Sequence, residues 1–147
     1  MFQSETMVTE RLVLRPPRAA DASDIFERYG QDQEVTRYLV WRPHRGIEDA
    51  VNFLRDCEER RMSGKELTWA ITLKDSDRLI GMIAYRQEQH KADLGYVLAR
   101  PYWNKGYMTE AVKMVMTRAL ALPEIYRVWA VCDIANVASA RVWRKRE

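Results

Sequence analysis

Residues 96–111 carry the chemistry that shows most directly. A β-type run ends at Leu98, a polar loop holding Asn104, Lys105 and Gly106 follows Pro101, and apolar residues at helical spacing begin at Met108. A strand that passes through such a loop into a helix N-terminus makes an anion site. The first turn of a helix has main-chain N–H groups without partners, and the macrodipole puts positive charge at the same end. A phosphate group suits that geometry. With one glycine in the loop, the same residues also suit a plain connection, and both readings stand on physics alone. Other chemistry-bearing types do not assemble. His44 and His90 are isolated, which gives no Cys/His or His/Asp nucleophile pattern. Cys57 and Cys132 lie on apolar-rich segments without CxxC or Cys/His spacing and read as buried thiols, with no metal and no disulfide. Arg42, His44 and Arg45 form a basic loop that either draws in an acidic substrate or is solvated.

These residues must be positioned by a small scaffold. The 147 residues fit one domain, 1–147, and 47% hydrophobic with 31% charged residues supply a core without the bias of a disordered chain. Lysine and arginine number 24 against 21 acids, and a net +3 interleaved along the chain implies no nucleic-acid partner. The longest apolar run, 79–85, is interrupted by Gly81 and falls short of the ~20 residues of a membrane span. Glu5 and Glu10 in an N-terminus without an apolar stretch argue against a secretory signal, so a cytoplasmic protein is expected.

Alternation over 9–15, stopped by Pro16 and Pro17, predicts a first strand. Asp21 is placed as N-cap of a helix through Ile25, Phe26 and Tyr29 that stops at Gly30, and a helical patch covers 34–39. Ile47, Ala50, Val51, Leu54 and Cys57 form the stripe of an amphipathic helix ending near Met62. Runs at 68–73 and 79–85 flank a hairpin turn at 74–78, and 92–98 completes a meander. A helix with Met108, Ala111, Val112, Val115, Met116, Ala119 and Leu120 on one face ends before Pro123; a strand at 126–132 and a helix at 136–146 follow. The order predicts an α/β (α+β) domain with an antiparallel meander at its centre.

Several short motifs lie on these elements in a recognisable order. They are Thr9, Glu10 and Arg11 leading into Leu12–Arg15 with Asp21 and Ala22 behind; Leu79, Ile80 and Gly81; Asp93 through Leu98; Pro101 through Ala111; and Asn136 through Val142. Over nearly its whole length the chain thereby resembles the GNAT superfamily of acyl-CoA-dependent N-acetyltransferases, and within it the RimJ/RimL-type, ribosomal-protein-alanine N-acetyltransferase-like branch. The resemblance implies the GNAT fold, a mixed and mostly antiparallel sheet flanked by helices. It also implies direct transfer of an acetyl group from acetyl-CoA to a primary amine, first a protein N-terminal α-amine and second a small-molecule amine.

On the same basis Asp93 is the candidate base, acting through water. The main chain of Tyr96, Val97 and Leu98 would align the pantetheine, and Asn104, Lys105, Gly106, Tyr107, Met108 and Thr109 would offer amides to the diphosphate. Asn136 would hydrogen-bond the pantetheine and Ser139 would lie near the sulfur. Ser139 or water must serve as acid, because Trp143 stands where many relatives carry a tyrosine. Trp103 and Met108 depart from the superfamily's loop pattern, so the Met108 side chain has to point into the core. Relatives continue into a closing two-strand hairpin that is absent here. The expectation is an unpaired edge at 126–132, with marginal stability or a homodimer through it. A catalytically weak acyl-CoA-binding module is the reading of a different class.

Overall fold

The computed structural model describes residues 5–36, 43–123, 125 and 127–130. Six strands form one sheet in sequence order, β1 (Met7–Val8), β2 (Leu12–Arg15), β3 (Leu67–Leu73), β4 (Leu79–Glu88), β5 (Lys91–Leu98) and β6 (Arg127–Ala130). All neighbours are antiparallel except β5 and β6, which run parallel. α1 (Ala22–Ile25), continued by a π turn at Phe26–Gly30, is followed by α2 (Gln33–Thr36) and α3 (Ile47–Met62). α4 (Tyr107–Leu120) joins β5 to β6, as a parallel crossover requires.

Because successive strand residues point to opposite faces, β3 is buried on both. Trp69 and Ile71 join Leu12, Leu14, Ile83 and Leu94 under the α4 residues Met108, Ala111, Val112 and Val115. Ala70 and Met82 face the other way, against Ile25 of α1, Tyr29 of the π turn, and Ala50, Leu54 and Cys57 of α3. The meander and the stripe of α4 thus lie where periodicity put them, and the Cys57 thiol is buried.

Four details differ. The first strand is two pieces, since the chain turns at residues 9–11, where the Thr9 amide donates to the Leu12 carbonyl at 2.9 Å; the turn aims Thr9 and Arg11 at α4. Asp21 holds the N-cap position of α1, but its side chain makes no capping hydrogen bond there. Its carboxylate ends a 3₁₀ turn (Ala19–Asp21), accepts the Arg18 amide at 2.7 Å, and takes both terminal nitrogens of Arg15 at 2.9 and 2.7 Å. That fork explains why Arg15, on the polar side of the predicted alternation, is buried: a charge leaves water only when paired. On α3, Ile47 and Val51 are 38% and 42% exposed, and on α4 Leu120 is 44% exposed, so each apolar stripe is narrower than its spacing implied. Finally, β4 and β5 extend to Glu88 and Lys91 around a tight turn with Gln89 in the left-handed region. The polar residues Arg86, Gln87 and Glu88 hid this extension. β6 is the edge beyond β5 among the described residues. The predicted helix at 136–146, and with it Asn136, Ser139 and Trp143, lies outside the described residues, as do Cys132 and Arg42.

Candidate active site

β5 and β6 pair over four residues, from Lys91 opposite Arg127 to Leu94 opposite Ala130. β5 then runs on to Leu98 with β4 on one side and, among the described residues, no strand on the other. The Ala99 amide donates to Ile80 at 2.8 Å, which fixes the phase of the β4–β5 ladder. Antiparallel alternation then turns the main-chain groups of Val97 toward β4 and those of Tyr96 and Leu98 away from it. The Leu98 carbonyl is taken there by the Trp103 indole N–H at 2.7 Å. Trp103, the residue at the first position of the loop pattern, therefore ties the loop to the strand end.

Past β5 the chain makes a 3₁₀ turn (Arg100–Tyr102), then passes through two left-handed residues, Asn104 at φ 61° and Gly106 at φ 82°. Gly106 is the N-cap of α4, and no side chain caps the helix. Its carbonyl accepts the Glu110 amide at 3.1 Å, the first bond of the helix. Among the described residues, the amides of Lys105, Gly106, Tyr107, Met108 and Thr109 donate to no acceptor. A helix start without a cap leaves exposed donors that favour an anion. The Met108 side chain is buried under the sheet and leaves the loop uncrowded, while Lys105 is exposed. Five successive N–H groups without an acceptor among the described residues thus lie at the start of α4, just past the end of β5.

The loop is held from a distance. Glu110 on α4 accepts the Arg11 amide at 2.8 Å and the Arg11 Nε–H at 2.9 Å, and takes the Thr9 hydroxyl as well. Burial pushes the Glu110 carboxyl up, but these hydrogen bonds and the Arg11 charge outweigh it and hold the group below its usual value. A depressed folded pKa gives stability that is complete above the unfolded value, ~4.3, and lost as pH falls through the folded one. Thermal stability should therefore drop between about pH 5 and pH 3, and Glu110→Gln should flatten that drop; a variant as acid-sensitive as the parent would exclude this contribution.

Asp93 projects from β5 opposite Arg86 of β4, whose Nη2 donates to its Oδ2 at 2.8 Å. No donor among the described residues reaches Oδ1. Gly95 lies one step along the same face, where a Cβ would be 3.5 Å from the same Arg86 nitrogen. The structure therefore places Asp93 in the half of β5 that pairs with β6, opposite Trp129 and two residues before Gly95, and Asn104, Lys105, Gly106, Tyr107, Met108 and Thr109 beyond the strand's end. His44, from the basic loop, instead packs against Gly30, its amide donating to the Gly30 carbonyl at 2.6 Å, and burial lowers its imidazole below the usual value. Sequence reasoning gave no role to Thr9, Arg11, Glu110, Trp103 or Arg86. The first four lie in the quoted motifs, but only the fold reveals the contacts.

No group of three or more His, Cys, Asp or Glu suited to a metal exists among the described residues, and no described helix is long and apolar enough to cross a membrane. Residues 11–146 match the family model described as an acetyltransferase (GNAT) domain. A Bacillus licheniformis protein described as the uncharacterized N-acetyltransferase p20 is 30% identical over 141 residues, covering 94% of this chain and 79% of its own. A GNAT-family acetyltransferase structure from Bacillus anthracis superposes with a TM-score of 0.80 at 27% identity, over 96% of this chain and 81% of that one. RimL, a ribosomal L7/L12 alpha-N-protein acetyltransferase solved with coenzyme A, shares the fold with a TM-score of 0.83 at 19% identity, over 97% and 83% of the two chains.

Proposed function

The chain belongs to the GNAT acetyltransferase family, and from that membership we propose that its acceptor is a protein N-terminal α-amine, acetylated at the open half of β5. Acetyl-CoA is the co-substrate of this acetyltransferase and supplies an activated thioester. The observation that carries the reading is the set of amides at residues 105–109 without an acceptor among the described residues, at the uncapped start of α4 just past the end of β5.

In this reading the Lys105, Gly106, Tyr107, Met108 and Thr109 amides bind the diphosphate, with the α4 dipole adding to their field. The Tyr96 main chain pairs with the pantetheine, as an added strand would. The Leu98 N–H lies on the same side, and its carbonyl stays with Trp103. Val97 contributes the wall of the cleft. By the family motif alone, Asn136 holds the pantetheine amides and Ser139 lies beside the sulfur. Asp93 takes the amine proton through water on Oδ1 while Arg86 keeps Oδ2 in place. An α-amine suits a single carboxylate partner: with a pKa of ~7.7 to 8.0, roughly a tenth is neutral at pH 7, against a few parts in ten thousand for lysine at ~10.4. The fold shared with RimL adds support for an α-amine acceptor.

The test is release of thiol from acetyl-CoA with a panel of N-terminal peptides, polyamines and amino acids, alongside calorimetry of coenzyme A against pantetheine. Turnover with unblocked peptides, and tighter binding of coenzyme A than of pantetheine, are expected. Turnover confined to small amines overturns the acceptor, and equal affinities overturn the loop. Coenzyme A binding with no turnover on any amine would make the chain a binding module.

A further inference from the structure

The loop at residues 104–106 is polar and twice left-handed, at Asn104 and Gly106, and Asn104 and Lys105 are exposed, so little of its own packing fixes it. What holds it comes from the far end of the chain. Arg11, 41% exposed at its side chain, spends its guanidinium on α4 and the loop: Nε donates to Glu110 at 2.9 Å, Nη1 donates to the Lys105 carbonyl at 2.9 Å, and the plane lies 4.4 Å from the centre of the Tyr107 ring. Nη2 sits 3.2 Å from where a Cβ on Gly106 would project. The backbone of Arg11 is itself fixed, its amide on Glu110 and its carbonyl accepting the Lys74 amide at 3.0 Å. One side chain thus touches the carbonyl before the N-cap, the N-cap, the first helical residue and the acid one turn on.

We propose that Arg11 is a positioning residue for the nucleotide end of acetyl-CoA, fixing residues 104–106 so that the amides of 105–109 converge before the ligand arrives. The inference rests on the diphosphate reading of that loop. The Lys105 carbonyl turns toward Arg11, which in a planar trans peptide sends the following N–H, that of Gly106, the opposite way, leaving it clear of the Arg11 guanidinium. Ordering the loop in advance removes an entropy cost from binding, and that gain falls only on the part of the ligand the loop touches. A planar fork can reach Glu110 and the Lys105 carbonyl together, whereas an ammonium cannot. A clamp that served only to tie β2 to α4 would affect stability and every ligand alike.

Calorimetry of coenzyme A and of pantetheine on the parent protein, Arg11→Met and Arg11→Lys separates these. Arg11→Met is expected to weaken coenzyme A by about tenfold or more and pantetheine by less than about twofold, and Arg11→Lys to recover little of the difference. Equal losses on both ligands, unchanged coenzyme A affinity, or full rescue by lysine would each overturn the proposal. Glu110→Gln, which keeps the side-chain size and removes the ion pair, gives a second route should Arg11→Met not fold, and is expected to show the same coenzyme A-selective loss; a loss shared with pantetheine counts against positioning. If the parent protein already binds the two ligands equally, the diphosphate reading fails and takes this inference with it. If the parent discriminates and the variants discriminate equally, the positioning role alone is wrong.

Discussion

Asp93→Asn is expected to lower kcat about a hundredfold on an N-terminal peptide at pH 7, the low end of what a positioned base contributes, with KM for acetyl-CoA nearly unchanged. The carboxylate lies on the face that carries Gly95, and its Oδ1 is without a protein donor among the described residues. Asparagine keeps the shape and can still meet Arg86 through its carbonyl, so the sheet should not notice. The deficit should narrow as pH rises past about 8, because an α-amine that is already neutral no longer needs a base.

Arg86 supplies the control. If Asp93 mattered only as half of an ion pair, Arg86→Gln would cost as much as Asp93→Asn, whereas a base held by its other oxygen loses only orientation and drops a few-fold. A surface pair of this kind contributes ~0 to 1 kcal/mol to stability, so both variants should melt with the parent. Equal kinetic losses in the two variants, or a deficit that does not change with pH, would remove Asp93 from the proton path.

The difference between what the sequence disclosed and what it hid follows from range. Met108, Ala111, Val112 and Val115 announce α4 because a one-sided helix repeats its apolar residues locally, and the runs around Trp69, Ile83 and Leu94 announce the meander because each is a continuous stretch of sheet core. The loop was legible for the same reason, as a polar break between two such patterns. Alternation puts Arg15 opposite the leucines because it knows nothing of Asp21, whose fork buries it. The pairing of Arg86 with Asp93 requires the register of β4 on β5, and that of Arg11 with Glu110 requires β2 and α4 to meet across 99 residues. Family motifs marked Arg11 and Glu110 as residues to quote, but only the fold gives them something to hold.

Gly81→Ala is expected to cost about 3 kcal/mol, at the upper end for overpacking a close-fitted site, and to lower the melting temperature by about 10 °C for a chain of this size. Gly81 sits opposite Leu98 where the β3–β4 register slips, Ile71 facing Gly81 and Thr72 facing Leu79. An added residue in one strand sharpens its twist, and at this position a Cβ on Gly81 would stand 2.4 Å from the Val97 carbonyl oxygen and 3.1 Å from the Leu98 Cα. Both are backbone atoms and cannot rotate away, so β5 itself has to move. The segment that moves contains Tyr96 and Leu98 and ends at the Trp103 tether. A second effect follows at temperatures where the variant is still folded: coenzyme A binding should weaken together with the melting temperature, and pantetheine binding with it, unlike the selective loss expected from Arg11→Met. Thermal unfolding and calorimetry of the one variant test both. A melting temperature within about 2 °C of the parent would mean that β4 and β5 yield without cost, and unchanged pantetheine affinity would mean that the displaced strand does not line the cleft.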